Sequence, residues 1–145
     1  MPNWNIDALK MCPACEIVAS DDGIDSVLYQ NEPYKGNPTR TFAYMGVPDT
    51  GEPTVPGMVL VHGGGGAAFK HWVKLWNDRG YAAIAMDLSG IDGNGQRLPD
   101  GGPRLEHEDI FDTSLPWEDY WTYHSVARVI RTHSLLASHP SVDAA

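Results

Sequence analysis

His62-Gly63-Gly64-Gly65-Gly66, four consecutive glycines behind a histidine, is the segment of this sequence with the clearest chemical meaning. Glycine lets a backbone approach a ligand closely and present free N–H groups to it, and a helix beginning just beyond would add the positive end of its dipole. A loop of that kind holds a phosphate or the oxyanion of an acyl transfer. For the phosphate, Gly63, Gly65 and Ala68 fit the G-x-G-x-x-A spacing of a dinucleotide fingerprint. Asp87 then stands about twenty residues further on, where an acid would hold a ribose. For the oxyanion, preorganised N–H donors stabilise a tetrahedral intermediate by about 3 kcal/mol each, and His-Gly-Gly-Gly after a strand is one form of that device. The oxyanion reading also gives His62 a place, whereas a run of glycines satisfies almost any glycine pattern.

Other candidates are weaker. Cys12 and Cys15 make a single C-x-x-C with no second pair to complete a zinc site, and it precedes any βαβ pattern that would make it a redox motif. Glu106, His107, Glu108, Asp109 and Asp112 could surround a cation but read more simply as a solvated loop. No metal and no cofactor are expected. Trp117, with Tyr120, Trp121 and Tyr123 nearby, could line a sugar or acyl pocket, Trp117 at a loop junction being the best placed and Tyr123 the more natural core residue. His124 and His133 read as histidines on or near the apolar face of a helix.

The elements that must position the glycines follow from the pattern around them. Residues 1–23 read as an irregular leader closed by Asp21-Asp22-Gly23. Residues 24–29 and 39–45 are β-rich runs joined by a turn-forming stretch, hence an antiparallel hairpin or meander. Met58-Val59-Leu60-Val61 is a short apolar run suited to a strand buried on both faces. Phe69, Trp72, Val73 and Trp76 recur at helical spacing over 67–79, with Gly80 as the stop. A second buried strand, 81–86, ends at Asp87 and completes a right-handed βαβ unit. A long polar stretch over about 88–114 follows, of a length more often functional than structural. Pro116, Glu118 and Asp119 then start a helix whose stripe is Tyr123, Val126, Val129, Ile130, His133 and Leu136. Ser141-Val142-Asp143 resembles the approach to a third parallel strand. The fold class is α/β, with the sheet incomplete in this chain.

Composition narrows the function classes. The chain has 145 residues, 42% of them hydrophobic, and 10 Lys+Arg against 19 Asp+Glu give a net charge of −9. It is globular in composition, and no basic run offers nucleic acid or an anionic membrane a surface. Neither a signal peptide nor a membrane-spanning stretch is visible, so a cytoplasmic location is the default expectation, with export not excluded.

Taken together, Glu32-Pro33-Tyr34-Lys35-Gly36, Pro56-Gly57-Met58-Val59-Leu60-Val61-His62 with its glycines, Trp72 and Trp76, Arg79-Gly80-Tyr81, Ala85-Met86-Asp87 and His133-Ser134-Leu135-Leu136 before Val142-Asp143 carry a resemblance. The chain resembles the N-terminal part of the α/β-hydrolases in the acetyl xylan esterase, dienelactone hydrolase and prolyl-oligopeptidase-like branch, over about 24–145. The resemblance implies a serine carboxylic-ester hydrolase, or alternatively a prolyl-oligopeptidase-like peptidase. Gly64 and Gly65 would be the oxyanion donors, His62 would shape the loop, and Gly63, Gly66, Asp87, Ser89 and Trp117 would border the site. A small ester or an acetylated carbohydrate would be the substrate. No G-x-S-x-G elbow occurs, so nucleophile, acid and base are expected beyond Ala145, the 145-residue chain alone is expected to be inactive, and an oligomer or second chain could complete the sheet.

Overall fold

The computed structural model describes residues 4–105 and 114–144. In chain order its elements are helix α1 (Ile6–Leu9), strands β1 (Cys15–Asp21), β2 (Ile24–Tyr34), β3 (Asn37–Gly46) and β4 (Val55–Val61), helix α2 (Lys70–Asn77), strand β5 (Ala82–Met86), helix α3 (Trp121–Ala137) and strand β6 (Val142–Asp143). The strands form one mixed sheet in the order β1-β2-β3-β5-β4-β6.

The first three strands are an antiparallel meander. Each turn has two residues at positive φ, Asp22 (54°) with Gly23 (72°) and Lys35 (50°) with Gly36 (77°). Two-residue loops of this handedness match the twist of the strands they join. Two expectations change here. Residues 15–21, expected within an irregular leader, are a strand; all seven are exposed, so no apolar alternation marks them. The connection expected after residue 29 is shorter than its Pro and Asn content suggests, because a register shift between Asn31 and Tyr34 accommodates Pro33 and lets β2 run on to Tyr34.

Strand β5 is the centre of the molecule, with all five residues buried. It pairs parallel with β4, Gly57↔Ala82 through Val61↔Met86, and antiparallel with β3, Ala43↔Met86 through Gly46↔Ala83. Its side chains alternate between two cores, as the pleat requires. Ala82, Ile84 and Met86 join Val27, Tyr29, Leu135, Leu136 and Val142 under α3, whereas Ala83 and Ala85 join Ile24 and Val73, with Trp76 packed alongside, under α2. At Gly46 a methyl group would stand 3.1 Å from Val73 Cγ1, so the glycine sets how closely α2 approaches β3. Helix α2 is shorter than the 67–79 expected; Phe69 is its N-cap residue and packs on Trp72 at 4.7 Å between ring centroids.

Helix α3 turns inward only part of the face its apolar spacing suggests: Tyr123 and Leu136 are buried and Val129 packs on the core, but polar residues share that face. His124, Ser125, Arg128 and Thr132 are buried on it with Ala127, Leu135 and Leu136, while Val126 is 40% exposed and His133 is exposed. Polar residues lie inside because they have polar neighbours there: Tyr29 shares a 2.6 Å hydrogen bond with Thr132 and donates to Arg128 O, and Arg128 reaches the loop after β5. The strand expected after α3 begins as β6, with Val142 beside Val55 and Asp143 beside Pro56. Among the described residues no helix is long and apolar enough to cross a membrane.

Candidate functional site

Strands β4 and β5 run parallel and end side by side, Val61 against Met86. His62 and Asp87 are therefore neighbours just past the sheet, at the strand ends where parallel α/β sheets usually bind ligands. His62 is 5% exposed. Its Nε2 accepts a hydrogen bond from Leu88 N–H at 3.0 Å, so the ring proton sits on Nδ1, which donates to Gly63 O at 2.7 Å. Both nitrogens are occupied by backbone. The ring is thus a brace between the β4 and β5 loops, with no nitrogen left to act as a base.

The glycines form a tight turn. Gly66 N–H donates to Gly63 O at 3.1 Å, and Gly65 at φ 76° is the member in the left-handed region. This is the geometry of a type II turn, in which the third position favours glycine. A methyl group on Gly66 would lie 2.6 Å from His62 Nδ1, so brace and turn are built against each other. Gly63, Gly64 and Gly65 face outward. Helix α2 starts only at Lys70, so its dipole does not begin at the turn as the sequence suggested.

Asp87 is 1% exposed, and its Oδ2 accepts from the N–H groups of Ser89 (2.9 Å), Gly90 (2.5 Å) and Ile91 (2.9 Å). This corrects the dinucleotide reading. The carboxylate that would bind a ribose is buried and holds its own loop, and the supposed nucleotide-binding strand pair is flanked by an antiparallel strand, β3.

The stretch after Asp87 is folded rather than loose. Asp92 Oδ1 accepts from Asn94 and Gln96 N–H, and Ile91 bridges Arg97. Arg97 donates to the carbonyls of Ser89, Gly90 and Gly102. From α3, Arg128 donates to Leu88 O and Gly101 O, each at 2.5 Å, and Trp121 Nε1 donates to Leu88 O at 2.7 Å. Burial lowers the Arg128 pKa, with the Tyr29 hydroxyl and Asp87 opposing that shift. Sequence reasoning missed Arg97 and Arg128, since neither lies in a motif and Arg128 is off the expected stripe.

His124, one turn from Arg128, is held neutral by the same burial and by the Arg128 charge, its pKa pushed down to about 4. The unfolded chain protonates this ring near pH 6.5, so its contribution is complete above that pH and is lost as pH falls from 6.5 towards 4. The loss should be about 2 kcal/mol over that interval. Urea unfolding at pH 7 and pH 4.5 should show a smaller difference in His124→Gln than in the parent; equal differences would rule this out.

Turn and loop meet in a cleft of about 310 Å³ lined by Gly65, Ser89, Ile91, Gly95, Arg97, Arg104 and Leu105. Gly65 and Ser89 are thus brought together, and Leu105 packs on the turn, its Cδ2 standing 3.3 Å from where a Gly64 methyl would be. Trp117 does not join them. Its ring lies in a cluster with Trp4 (5.1 Å), Tyr123 (5.8 Å) and Tyr120 (6.2 Å) that ties the N-terminus to α3. A second, smaller cleft of about 120 Å³ is lined partly by Tyr34, Lys35, Tyr120 and Trp121, and it shares Arg104 with the first. Cys12 and Cys15 are free, and the Cys15 thiol is raised by desolvation and then by Cys12, the opposite of an activated thiolate. The five candidate cation ligands Glu106, His107, Glu108, Asp109 and Asp112 lie outside the described residues, among which no group of three suited side chains could hold a metal.

No protein-family model matches this sequence, and no curated protein does. Solved structures do. The chain is similar to an acetyl xylan esterase from Paenibacillus sp. R4, with a TM-score of 0.61 at 21% identity over 96% of this chain and 46% of that one. It is also similar to acetyl xylan esterase 1 from Thermoanaerobacterium sp. JW/SL YS485, with a TM-score of 0.62 at 17% identity over 96% of this chain and 47% of that one. The fold is esterase-like, and the chain spans about half the length of these two structures.

Proposed function

We propose that this chain supplies the oxyanion-hole half of a serine carboxylic-ester hydrolase acting on a small ester or an acetylated carbohydrate. The observation that carries the reading is the outward-facing glycine turn at the end of β4, opening on the same cleft as Ser89. The esterase-like fold supports it. Gly64 and Gly65 are the donors: their N–H groups would meet the negative charge that gathers on the carbonyl oxygen when a nucleophile attacks. His62 fixes the turn from behind and Asp87 fixes the loop that forms the opposite wall. Ser89 is not the nucleophile, because the histidine beside it has both nitrogens bonded to backbone. Nucleophile, acid and base then belong to residues other than those lining this cleft.

The turn allows a sharp test. Proline is favoured at the second position of a type II turn, so Gly64→Pro removes one N–H donor while keeping the turn. Among the described residues, what a Cβ at position 64 meets is the end of the flexible Leu105 side chain. With the whole gene product and p-nitrophenyl acetate, Gly64→Pro should lower kcat by about a hundredfold with the circular dichroism spectrum unchanged. The 145-residue chain alone should hydrolyse the ester no faster than buffer. An unchanged kcat in Gly64→Pro, or hydrolysis by the chain alone that depends on one of its own serines, would overturn the reading.

A further inference from the structure

We infer that this cleft selects an ester that also carries a free carboxylate, such as an acylated uronic acid, and that Arg104 is the residue that recognises it; this rests on the hydrolase reading above. The chain is strongly acidic, at −9. Yet the described lining of the cleft contains two guanidinium groups and no carboxylate. The two arginines differ in role. Arg97 is committed to the carbonyls of Ser89, Gly90 and Gly102 and is part of the wall. Arg104 is exposed, and among the described residues no hydrogen bond or ion pair engages it.

The position of Arg104 is set by its neighbours. Pro103 before it is buried, and Leu105 after it rests against the glycine turn, so the backbone that carries the guanidinium is anchored beside the proposed oxyanion donors. A planar guanidinium at a cleft mouth, with no partner among the described residues, suits two-point recognition of a carboxylate. Arg104 also lines the adjoining cleft, where Tyr120 and Trp121 offer flat apolar surface to a sugar ring, while Tyr34 lies under Lys35 Nζ, 5.1 Å from its ring centroid. Asp119 is the carboxylate of that second lining, and it makes no ion pair with Arg104. An ester bond at the glycine turn and a carboxylate at Arg104 would thus be bound by one molecule of roughly sugar size.

The test reads binding without turnover. Methyl α-D-glucuronide and its neutral counterpart methyl α-D-glucoside are titrated into the 145-residue chain at low ionic strength, and backbone amide and arginine Nε–H shifts are followed by NMR. The glucuronide should shift Gly65, Ser89, Ile91 and Arg104 saturably and weaken with added salt, whereas the glucoside should leave them in place. Arg104→Gln should weaken glucuronide binding about tenfold or more, and Arg104→Lys should retain part of it. No shifts at these residues, equal binding of the neutral glycoside, or unchanged binding by Arg104→Gln would each overturn the inference. Failure of the esterase assay with retained glucuronide binding would instead count against the hydrolase reading, so the two failures are distinguishable.

Discussion

Asp87→Ala should cost this protein about 4 kcal/mol of stability, with loss of the ordered loop that follows β5. The Asp87 carboxylate accepts three backbone N–H groups through one oxygen in a place 1% exposed. A buried N–H left without an acceptor costs about 1–3 kcal/mol, and hydrogen bonds to an ionised group sit at the stronger end. Water entering the space would return part of the loss. So would the removal of Oδ1, which is buried and has no hydrogen-bond partner among the described residues. Against that, Arg128 would lose a nearby opposite charge, since Asp87 is one of the groups that favour its protonated form. Asp87→Asn keeps an acceptor oxygen and should cost less than half as much. Urea unfolding followed by tryptophan fluorescence measures both variants, and a change in Asp87→Ala below about 1 kcal/mol would contradict this account of the loop.

Gly90→Ala should be as damaging, for a steric reason. Gly90 has φ 73°, and a methyl group there would stand 2.1 Å from Arg97 Nη1 and 2.5 Å from Gly101 O. The arginine tip can move, but the carbonyl is backbone. Gly101 has the reciprocal problem, with a methyl group 2.5 Å from Gly90 O, so two chain segments meet here with no room for a side chain on either. Left-handed strain costs about 1 kcal/mol and forcing the backbones apart about 3 kcal/mol more. Gly95→Ala is the control, because Gly95 has φ 75° with no described residue within 4 Å of the added carbon. It carries the strain without the clash and should lose only about 1 kcal/mol. Similar losses in the two variants would show that conformation, and not contact, sets the cost at position 90.

Period and punctuation made the βαβ unit legible. The run 81–86 is continuously apolar because both faces of β5 are buried, whereas β4, expected to be buried in the same way, is only half-buried with Val61 46% exposed; Phe69, Trp72, Val73 and Trp76 mark the side of α2 that meets the sheet. The glycine turn was visible because four glycines in a row have no other simple use. What stayed hidden did so for three physical reasons. Strand β1 has an exposed edge position and no alternation to read. The inward face of α3 is built from His124, Arg128 and Thr132, which satisfy a loop and a tyrosine and therefore break the apolar stripe. Asp87 occupies a position where a ribose-binding acid would also stand, and only its three backbone donors distinguish a loop brace from a ligand site. Trp117 was attractive as a pocket residue because large aromatics at junctions often are; here Trp4, distant in sequence, covers it.

The strand order imposes a sequence of events on assembly. The meander of β1, β2 and β3 needs only two-residue turns and contacts close in sequence, so it can form as soon as Gly46 is made. Strand β4 comes next along the chain but has no place beside β3, because β5 lies between them. During synthesis, residues 55–61 must therefore wait without their parallel partner until Met86 has emerged, and β3 waits with them. Throughout that interval the apolar residues of β4 are available to any other strand edge. Slow translation or stalling within residues 62–86 should thus favour aggregation, while faster passage to the end of β5 closes the gap.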